Sequence, residues 1–347
     1  MVEEALKLTT YSGERDIVDG RLLADALIDT YERHAVRASA LFRGVEGFGM
    51  KRRLQTQRLL TLSEDLPIVT VAVDASERIE ALLDRVREIN RHGVVTLERA
   101  RLLSGSVAPG ELAADSSEVK LTIYVGRQER ADGRPAHLAV VDLLHRHGVA
   151  GATVLLGVDG TAHGVRERGR FFARNAQVPL MIVSVGECER IAGVLPGLSA
   201  MLSEPLLTIE RVRICKRDGA LLAGAGEPAP GEASGEACMQ RLTLYAGEQA
   251  RHSGQPLYSA LIARLRREGA SGATALRGLW GYHGDHRPHG ERFWSVRRHV
   301  PVVTMLLDTP ANARRWFEIV DEMTQQTGLL TSEIVPVLWA PAAPADP

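Results

Sequence analysis

One stretch of sequence occurs three times along the 347-residue chain, and this repeat limits the possible folds more than any other feature. Each copy begins with an alternating apolar and polar segment that ends in Tyr-x-Gly. The spacing between copies is constant at two landmarks. It is 113 residues from Tyr11 to Tyr124 and from Gly47 to Gly160, and 121 residues from there to Tyr245 and Gly281. A spacing kept at both landmarks indicates a tandem repeat, in which each copy has the same fold.

The hydrophobic pattern within a copy predicts the order strand, helix, strand, strand, helix, strand. Leu6–Tyr11 alternates with the period of two that is typical of a half-buried strand. Ile68–Val73 is apolar throughout, as expected for a strand that is buried on both faces. Between the strands, apolar residues recur every four residues, as in an amphipathic helix. The βαββαβ order predicts an α+β fold of three tandem ferredoxin-like domains, each with two helices on one face of an antiparallel sheet.

Composition marks the joins between the copies. Two segments, residues 105–118 and 218–239, are rich in Ala, Gly, Ser, Pro and acidic residues and are predicted to be flexible linkers. The predicted domains are residues 1–104, 119–217 and 240–340, followed by a tail at 341–347.

Charge and cysteine usage favour a soluble cytoplasmic protein. The net charge is −1, so the surface as a whole gives no reason to expect binding to nucleic acid or to a membrane. Cys188, Cys215 and Cys238 form no CxxC pair, which is typical of a reducing compartment. No apolar run reaches the ~18 residues of a membrane span, and the N-terminus lacks the pattern of a signal peptide.

In combination, the motifs resemble the bacterial PII-like family named domain of unknown function 190. They are the strand ending in Tyr-x-Gly, the run Gly-Ala-Thr-x-Leu-x-Gly-x-x-Gly at residues 151–160, and the apolar strand introduced by proline. The resemblance covers all three copies. It implies ferredoxin-like subunits that assemble as trimers and bind adenine nucleotides in the clefts between subunits. The glycine-aspartate-glycine-lysine run of true PII proteins is absent, and Arg91-His92-Gly93 stands in its place.

The resemblance also implies that a loop between the second and third strands contacts a partner protein. In this chain the loops are Val45–Leu66, Val158–Val178 and Leu279–Val300. They are long and charged, so we expect them to be the most mobile part of the molecule.

The candidate ligand-binding residues are glycines at the end of the second strand and arginines in the loops and on the fourth strand. Glycine lets backbone N–H groups approach an anion, although a strand also needs glycine simply to turn. Arginine matches phosphate or carboxylate oxygens in two contacts, but it also occurs in solvated loops and cross-strand ion pairs. The candidates are Gly44, Gly47, Gly49, Arg52, Arg53, Arg99, Arg101, Gly157, Gly160, Arg166, Arg168, Arg211, Arg213, Gly278 and Gly281.

The third loop carries three histidines spaced by three, His283, His286 and His289. Three imidazoles are candidate ligands for zinc or copper, and ordinary polar loop residues are the alternative interpretation.

These observations favour a binding protein over an enzyme, because no nucleophile, base and acid recur together in the three copies. The hypothesis is a cytoplasmic regulatory module that binds a small anion, with AMP, ADP or ATP as candidates, between its domains. Its loops would bind a protein partner, for which a membrane transporter and an enzyme are the candidates. The alternative is a metal-binding protein resembling the trimeric divalent-cation-tolerance proteins. An acylphosphatase-like hydrolase is disfavoured, because no arginine–asparagine pair recurs in a phosphate-binding turn.

Three domains in one chain can close the ring that separate subunits would form, so we expect a monomeric pseudo-trimer or a dimer of these. A fused chain is also free to lose a site. On the fourth strand, Ile334 of the third copy aligns with Arg99 and Arg211, and Pro336 aligns with Arg101 and Arg213. The three clefts are therefore predicted to differ, with fewer than three tight anion sites.

Overall fold

The computed structural model describes residues 2–49, 54–56, 65–91, 93–103, 117–166, 178–203, 205–226, 238–284, 287–290, 300–325 and 327–340. In these residues the chain is a mixed α+β protein with a large antiparallel sheet and three repeats, which we call units 1, 2 and 3.

The elements of each unit follow in chain order. Unit 1 contains β1 (Val2–Gly13), β2 (Ile17–Val18), β3 (Arg21–Leu22), α1 (Leu23–Arg33), β4 (Ala38–Arg43), β5 (Glu46–Phe48), β6 (Gln55–Thr56), β7 (Pro67–Ala75), α2 (Ser76–Glu80), α3 (Leu83–Ile89) and β8 (Val94–Leu103). Unit 2 contains β9 (Glu118–Gly126), β10 (Arg130–Ala131), β11 (Arg134–Pro135), α4 (Ala136–Arg146), β12 (Gly151–Leu156), β13 (Asp159–Ala162), β14 (Val165–Arg166), β15 (Pro179–Glu187), α5 (Cys188–Met201), β16 (Leu206–Arg211), β17 (Arg213–Arg217) and β18 (Ala220–Leu221). Unit 3 contains β19 (Cys238–Gly247), β20 (Arg251–His252), β21 (Gln255–Pro256), α6 (Leu257–Glu268), β22 (Ala273–His283), β23 (His289–Gly290), β24 (Pro301–Asp308), α7 (Pro310–Met323) and β25 (Leu329–Trp339).

Each unit builds its part of the sheet from four long strands in the spatial order second, third, first, fourth. In unit 1 the order is β4, β7, β1, β8, and all neighbours are antiparallel. Unit 2 repeats it with β12, β15, β9 and β16, and unit 3 with β22, β24, β19 and β25. The third strand is therefore interior to the sheet, which explains its uninterrupted apolar run. In β7, Pro67 to Asp74 are all buried.

The helices of a unit cover one face of its strands. In unit 1, Leu8 of β1 packs with Leu27 of α1 and Val86 of α3 in a core of its own. Alternate residues of a strand point to opposite faces, so Lys7, Thr9 and Tyr11 point away from these helices, toward the middle of the molecule. Units 2 and 3 have corresponding cores, and a fourth apolar cluster draws residues from all three units.

Two sets of strand pairs join every unit to both of the others. In the first set, the end of the fourth strand of each unit pairs with the fourth strand of the next unit. Arg101 of β8 pairs with Ile209 of β16, and Arg213 of β17 pairs with Ser332 of β25. The end of β25 pairs with β8, which completes the set. The second set is made by the short segment after the glycine that ends each second strand (Gly44, Gly157 or Gly278). In this set β13 pairs with β4, the end of β22 pairs with β12, and β5 pairs with the start of β22. Each set closes after three steps.

The joins between units differ in part from expectation. The first strands of units 2 and 3 begin at Glu118 and Cys238, just before the predicted domain starts. Most of the first predicted linker, residues 227–237 of the second and the whole tail at 341–347 lie outside the described residues. Residues 218–226 of the second linker are held to the domains at two places, since β18 pairs with β17 and Ala225 is buried in the core of unit 3. The small residues that predict a flexible linker are also compatible with close packing against a domain.

None of the helices that the structure describes is both long and apolar enough to cross a membrane.

Candidate functional site

Six buried charges form a closed ring at the centre of the three units. Each unit supplies one cation from its first strand and one carboxylate from its fourth, and no side chain in the ring is more than 8% exposed. In ring order they are Lys7, Glu210, Lys120, Glu333, Arg241 and Glu98. Every cation contacts the carboxylate of its own unit and that of one neighbour, so the ring links all three units.

Strand register places these charges opposite one another. Lys7 is directly across from Glu98 in the β1–β8 pair, and units 2 and 3 repeat this register with their own cation and carboxylate. Lys7 Nζ lies 2.7 Å from Glu98 Oε2 and also contacts Glu210 of unit 2. Arg241 has the guanidinium geometry to bind two carboxylates, and its Nη2 donates to Glu98 Oε2 at 2.6 Å and to Glu333 Oε2 at 3.0 Å.

The ring keeps Glu98, Glu333 and Lys120 charged despite their burial. Burial alone would raise the pKa of Glu98, but the charges of Arg241, Lys7 and Lys120 hold that pKa well below its usual range. Glu333 is similar, with burial opposed by Arg241 and the two lysines and a net lowering of its pKa. Burial works against the charge of Lys120, yet Glu210 and Glu333 raise its pKa. The six charges therefore depend on one another.

These shifts predict how stability depends on pH. Glu98 and Glu333 have lowered pKa values in the folded protein, so their contribution is present above the unfolded carboxyl pKa of about 4.3 and is lost as the pH falls through the folded values. Lys120 has a raised pKa, so its contribution is present below about 10.4 and is lost at higher pH. We expect a shallower acid limb for Glu98→Gln than for the unmodified chain in urea unfolding across a pH series. Identical acid limbs would contradict this account.

A cavity of about 70 Å³ lies against the ring, lined by side chains from all three units. Apart from Glu333, the wall of the cavity consists of layers, and each layer contains one side chain from the same repeat position in each unit. The three ring cations and Thr9, Thr122 and Thr243 line one part, and apolar side chains of the second and third strands line the rest. Burial raises the pKa of the third layer, Tyr11, Tyr124 and Tyr245, so these phenols stay protonated.

Six of the predicted glycines have structural partners. Gly44, Gly157 and Gly278 each lie against the proline that begins the third strand of their own unit, where a Cβ would come within 2.5–3.3 Å of a proline atom. Gly47, Gly160 and Gly281 lie against a carbonyl oxygen of the neighbouring unit, where a Cβ would come within 2.7, 2.1 and 2.2 Å. These contacts account for the glycines without a ligand. Gly49 is exposed, and a Cβ added there would meet open space. The anion role of all seven stays a prediction.

The predicted arginines do not converge on one site. Arg99, Arg211 and Arg213 are exposed and Arg101 is half-buried, on the face of the fourth strand opposite the ring. Arg166 is 13% exposed and binds Asp159 of its own unit at 2.6 Å and Asp29 of unit 1. Its guanidinium is therefore already occupied by carboxylates. Arg52, Arg53 and Arg168 lie outside the described residues.

The two predicted metal ligands that the structure describes, His283 and His289, contact different partners. His283 is buried and its Nδ1 lies 3.3 Å from Asp218 Oδ1, while His289 Nδ1 lies 2.9 Å from the Arg287 carbonyl oxygen. His286 lies outside the described residues. Across the part of the chain that is described, the group with metal-ligand spacing is Glu98, Glu210 and Glu333, and these carboxylates are neutralised by the ring cations.

The strand pairs that follow the second strands create three interfaces between neighbouring units, which we call clefts. Cleft 1/2 lies between β13 and α1, cleft 2/3 between the end of β22 and α4, and cleft 3/1 between β5 and α6. Residues at equivalent repeat positions line them, so the clefts can be compared position by position.

Internal carboxylates occupy two of the clefts. In cleft 1/2, Glu14 pairs with Arg43 at 2.7 Å, and Asp159 pairs with Arg166. In cleft 3/1 the position of Glu14 is Glu248, which pairs with Arg277 at 2.6 Å. There the position of Asp159 is Glu46, which accepts a hydrogen bond from Ser259 Oγ at 3.2 Å.

Cleft 2/3 replaces both carboxylates. Arg127 stands at the position of Glu14 and Glu248, and Trp280 stands at the position of Asp159 and Glu46. Leu156 takes the place of the arginine that pairs with the acid in the other two clefts. Cleft 2/3 thus gains a cation and an aromatic ring where its counterparts have acids.

Polar nitrogens in cleft 2/3 lack partners among the described residues. The side chain of Arg127 makes no ion pair there, and Trp280 Nε1 and His137 Nδ1 are buried without a hydrogen bond. Burial lowers the pKa of His137, and the nearby charge of Arg127 lowers it further. These groups can donate to an anion or an acceptor-rich ring system.

Sequence reasoning missed the ring, and it predicted unequal clefts from the fourth-strand arginines without finding the exchange at Arg127 and Trp280. A signal for the ring was present, since Lys7 and Lys120 are two of the four lysines in the chain and occupy the same repeat position. The recurrence of Glu98 and Glu210 at one strand position favours structural pairing over catalysis, which agrees with the ring. The replacement of acids by Arg127 and Trp280 is visible when the residues after the first and second strands are aligned between the three copies.

A protein-family model matches the chain three times, at residues 5–102, 118–214 and 239–337. The family is domain of unknown function 190, described as "Uncharacterized ACR". The chain belongs to this family. The three matches follow the three tandem copies expected from the repeat.

Curated relatives correspond to a single unit. A UPF0166 protein of Aquifex aeolicus is 28% identical over 98 residues, which is 28% of this chain and 91% of the relative. The UPF0166 protein MJ1524 of Methanocaldococcus jannaschii is 24% identical over 99 residues, 28% of this chain and 91% of the relative. A crystal structure of aspartate kinase from Synechocystis matches 96% of this chain and 52% of the kinase chain, at 10% identity and a TM-score of 0.24. No conclusion about this chain is based on that similarity.

Proposed function

We propose that this protein is a PII-like regulatory protein that binds a small anion, with an adenine nucleotide as the candidate, in cleft 2/3. The protein would act by binding and not by catalysis. The observation that carries this proposal is the exchange at equivalent positions: cleft 2/3 has Arg127 and Trp280 where the other clefts have carboxylates.

The proposal includes a ferredoxin-like arrangement of each unit and an intramolecular pseudo-trimer. The strand order second, third, first, fourth supports the first part. The two closed sets of strand pairs and the ring of six charges support the second. Relatives that match one unit over most of their length are consistent with a trimer of separate chains fused into one.

The chemistry of cleft 2/3 suits an aromatic anion. An arginine fork binds phosphate oxygens through charge-assisted hydrogen bonds worth ~1.5–3 kcal/mol each. Indole provides a face for a stacked base, which contributes ~1–3 kcal/mol per base in nucleic-acid complexes. His137 adds a polar nitrogen beside Arg127. A nucleotide offers both the phosphate and the flat base that this set would recognise.

The partner side of the proposal rests on the loops. The loop after each second strand starts with a segment that pairs with the neighbouring unit, namely β5, β13 or the end of β22. A ligand in cleft 2/3 would therefore lie next to the start of the third loop. A ligand bound there would change the surface that the start of this loop offers to a protein partner. A cytoplasmic location, and a transporter or an enzyme as partner, belong to the same proposal.

Calorimetric titration with AMP, ADP and ATP tests this function. We expect one site per chain, because cleft 2/3 alone has the exchanged residues. Arg127→Glu, which installs the acid found at this position in units 1 and 3, should abolish measurable binding. Trp280→Ala should weaken binding about tenfold or more, since ~1.4 kcal/mol corresponds to a factor of ten.

The matched control is Arg43→Ala, which removes an arginine from cleft 1/2 and should leave the affinity unchanged. The proposal fails if none of the nucleotides binds, if three equal sites are found, or if Arg127→Glu binds as tightly as the unmodified chain.

A further inference from the structure

The cavity beside the ring has hydrogen-bond donors that lack acceptors among the described residues. A lysine ammonium has three N–H donors. Lys7 uses two of them on Glu98 and Glu210, and Lys120 uses two on Glu210 and Glu333. Each lysine thus keeps one N–H without an acceptor among the described residues, and both lysines line the cavity.

Two tyrosines of the cavity wall add further donors. The hydroxyls of Tyr11 and Tyr124 are buried and have no hydrogen-bond partner among the residues that the structure describes. Buried polar groups are almost always paired with protein, water or a ligand, so each of these hydroxyls calls for a partner inside the cavity.

The carboxylate that lines the cavity, Glu333, makes no hydrogen bond to either hydroxyl. Glu333 Oε1 accepts from Lys120, and Glu333 Oε2 accepts from Arg241. Glu210 Oε1 is buried without a partner in the described chain, but Glu210 is not among the residues that line the cavity. The cavity therefore presents two ammonium N–H groups and two phenol O–H groups to whatever occupies it, beside the hydroxyls of Thr9, Thr122 and Thr243.

The remaining wall is hydrocarbon. Phe42, Leu155 and Leu276 form one apolar layer, and Val69, Met181 and Val303 form another. The volume is about 70 Å³, and about 10–15 Å³ suffices for one water molecule, so the space suits a guest of roughly five non-hydrogen atoms.

We infer that this cavity is a second ligand site, separate from cleft 2/3, and that it binds a short-chain carboxylate of two or three carbons. The two oxygens of a carboxylate offer about four lone-pair sites, which match the four free donors on Lys7, Lys120, Tyr11 and Tyr124. The methyl or ethyl group would lie against the apolar layers. A bare inorganic anion would leave that wall without contacts, and a cation would meet the N–H donors of Lys7 and Lys120 that lack an acceptor among the described residues.

The test is calorimetric titration of the full chain with acetate and propionate at constant ionic strength. Acetamide, the neutral analogue of acetate, and chloride are the comparison solutes. We expect saturable binding of both carboxylates, with acetamide and chloride much weaker. Tyr11→Phe/Tyr124→Phe should weaken carboxylate binding about tenfold or more, since a hydrogen bond to a charged group is worth ~1.5–3 kcal/mol and ~1.4 kcal/mol is tenfold.

The double variant keeps the shape of both side chains and removes only these two hydroxyls, so its unfolding midpoint should not fall. Arg127→Glu should bind acetate as the unmodified chain does, which separates this site from the nucleotide cleft. The inference is overturned if neither carboxylate binds, if acetamide or chloride binds as tightly, or if the double variant retains full affinity.

Discussion

Replacing Arg241 with methionine is expected to lower the free energy of unfolding by about 3–5 kcal/mol. Arg241 is buried and donates to both Glu98 and Glu333, so its loss leaves two buried carboxylates short of a cation. Removing one partner of a buried ion pair is costly because the remaining charge has lost its water as well as its partner. Urea unfolding followed by circular dichroism measures the change.

Two controls separate charge, geometry and location. Arg241→Lys makes the ring match units 1 and 2, so it should cost clearly less than the methionine variant. Arg134→Ala removes a surface ion pair with Asp142 at 2.8 Å, where Arg134 is 56% exposed, and should cost at most about 1 kcal/mol. If Arg241→Met costs no more than Arg134→Ala, the ring does not stabilise the assembly of units as described.

Gly160→Ala is expected to destabilise the chain by about 3 kcal/mol, at the upper end for overpacking. A Cβ at Gly160 would lie 2.1 Å from the carbonyl oxygen of Ser39 and 2.8 Å from Pro179 Cγ. Neither neighbour is the end of a flexible side chain, so β13 would have to move away from β4. The hydrogen bonds of Thr161 to Ser39 and to the Val36 carbonyl, both at 2.9 Å, depend on the same approach.

The matched control is Gly49→Ala, at an exposed glycine with open space around it, which should change stability by less than about 0.5 kcal/mol. Thermal unfolding of the two variants in parallel gives the comparison. Equal and small effects would mean that the contact between units 1 and 2 tolerates a wider strand spacing.

Local patterns predict most of the secondary structure because each element has its own signal. A Thr-Pro pair predicts a helix start, and α7 begins at Pro310 with Thr309 as its N-cap, whose Oγ1 accepts from the Asn312 N–H at 3.4 Å. The sequence predicts the fourth strand of unit 2 as one run from Leu206 to Ile214, but this strand divides at Val212 into β16 and β17. The division lets β16 pair with unit 1 and β17 with unit 3, a demand from neighbouring units that no local pattern contains.

The candidate site is harder to predict because its residues act across unit boundaries. Arg166 is one of a series of loop arginines in the sequence, yet its partners include Asp29, which is 137 residues away. The ring likewise joins Lys7 to Glu210, 203 residues apart. Sequence spacing reveals the repeat, but it does not reveal which repeat positions meet at the centre or which cleft has lost its acids.

We propose that one chain closes its own three-unit ring, and the mass of the particle in solution tests this proposal. Size-exclusion chromatography with multi-angle light scattering, run over a dilution series, should give a smallest species of 37.8 kDa. A particle of twice that mass at higher concentration would fit a dimer of closed chains. A trimer of chains as the smallest species would contradict the account, because the units would then close the ring between chains.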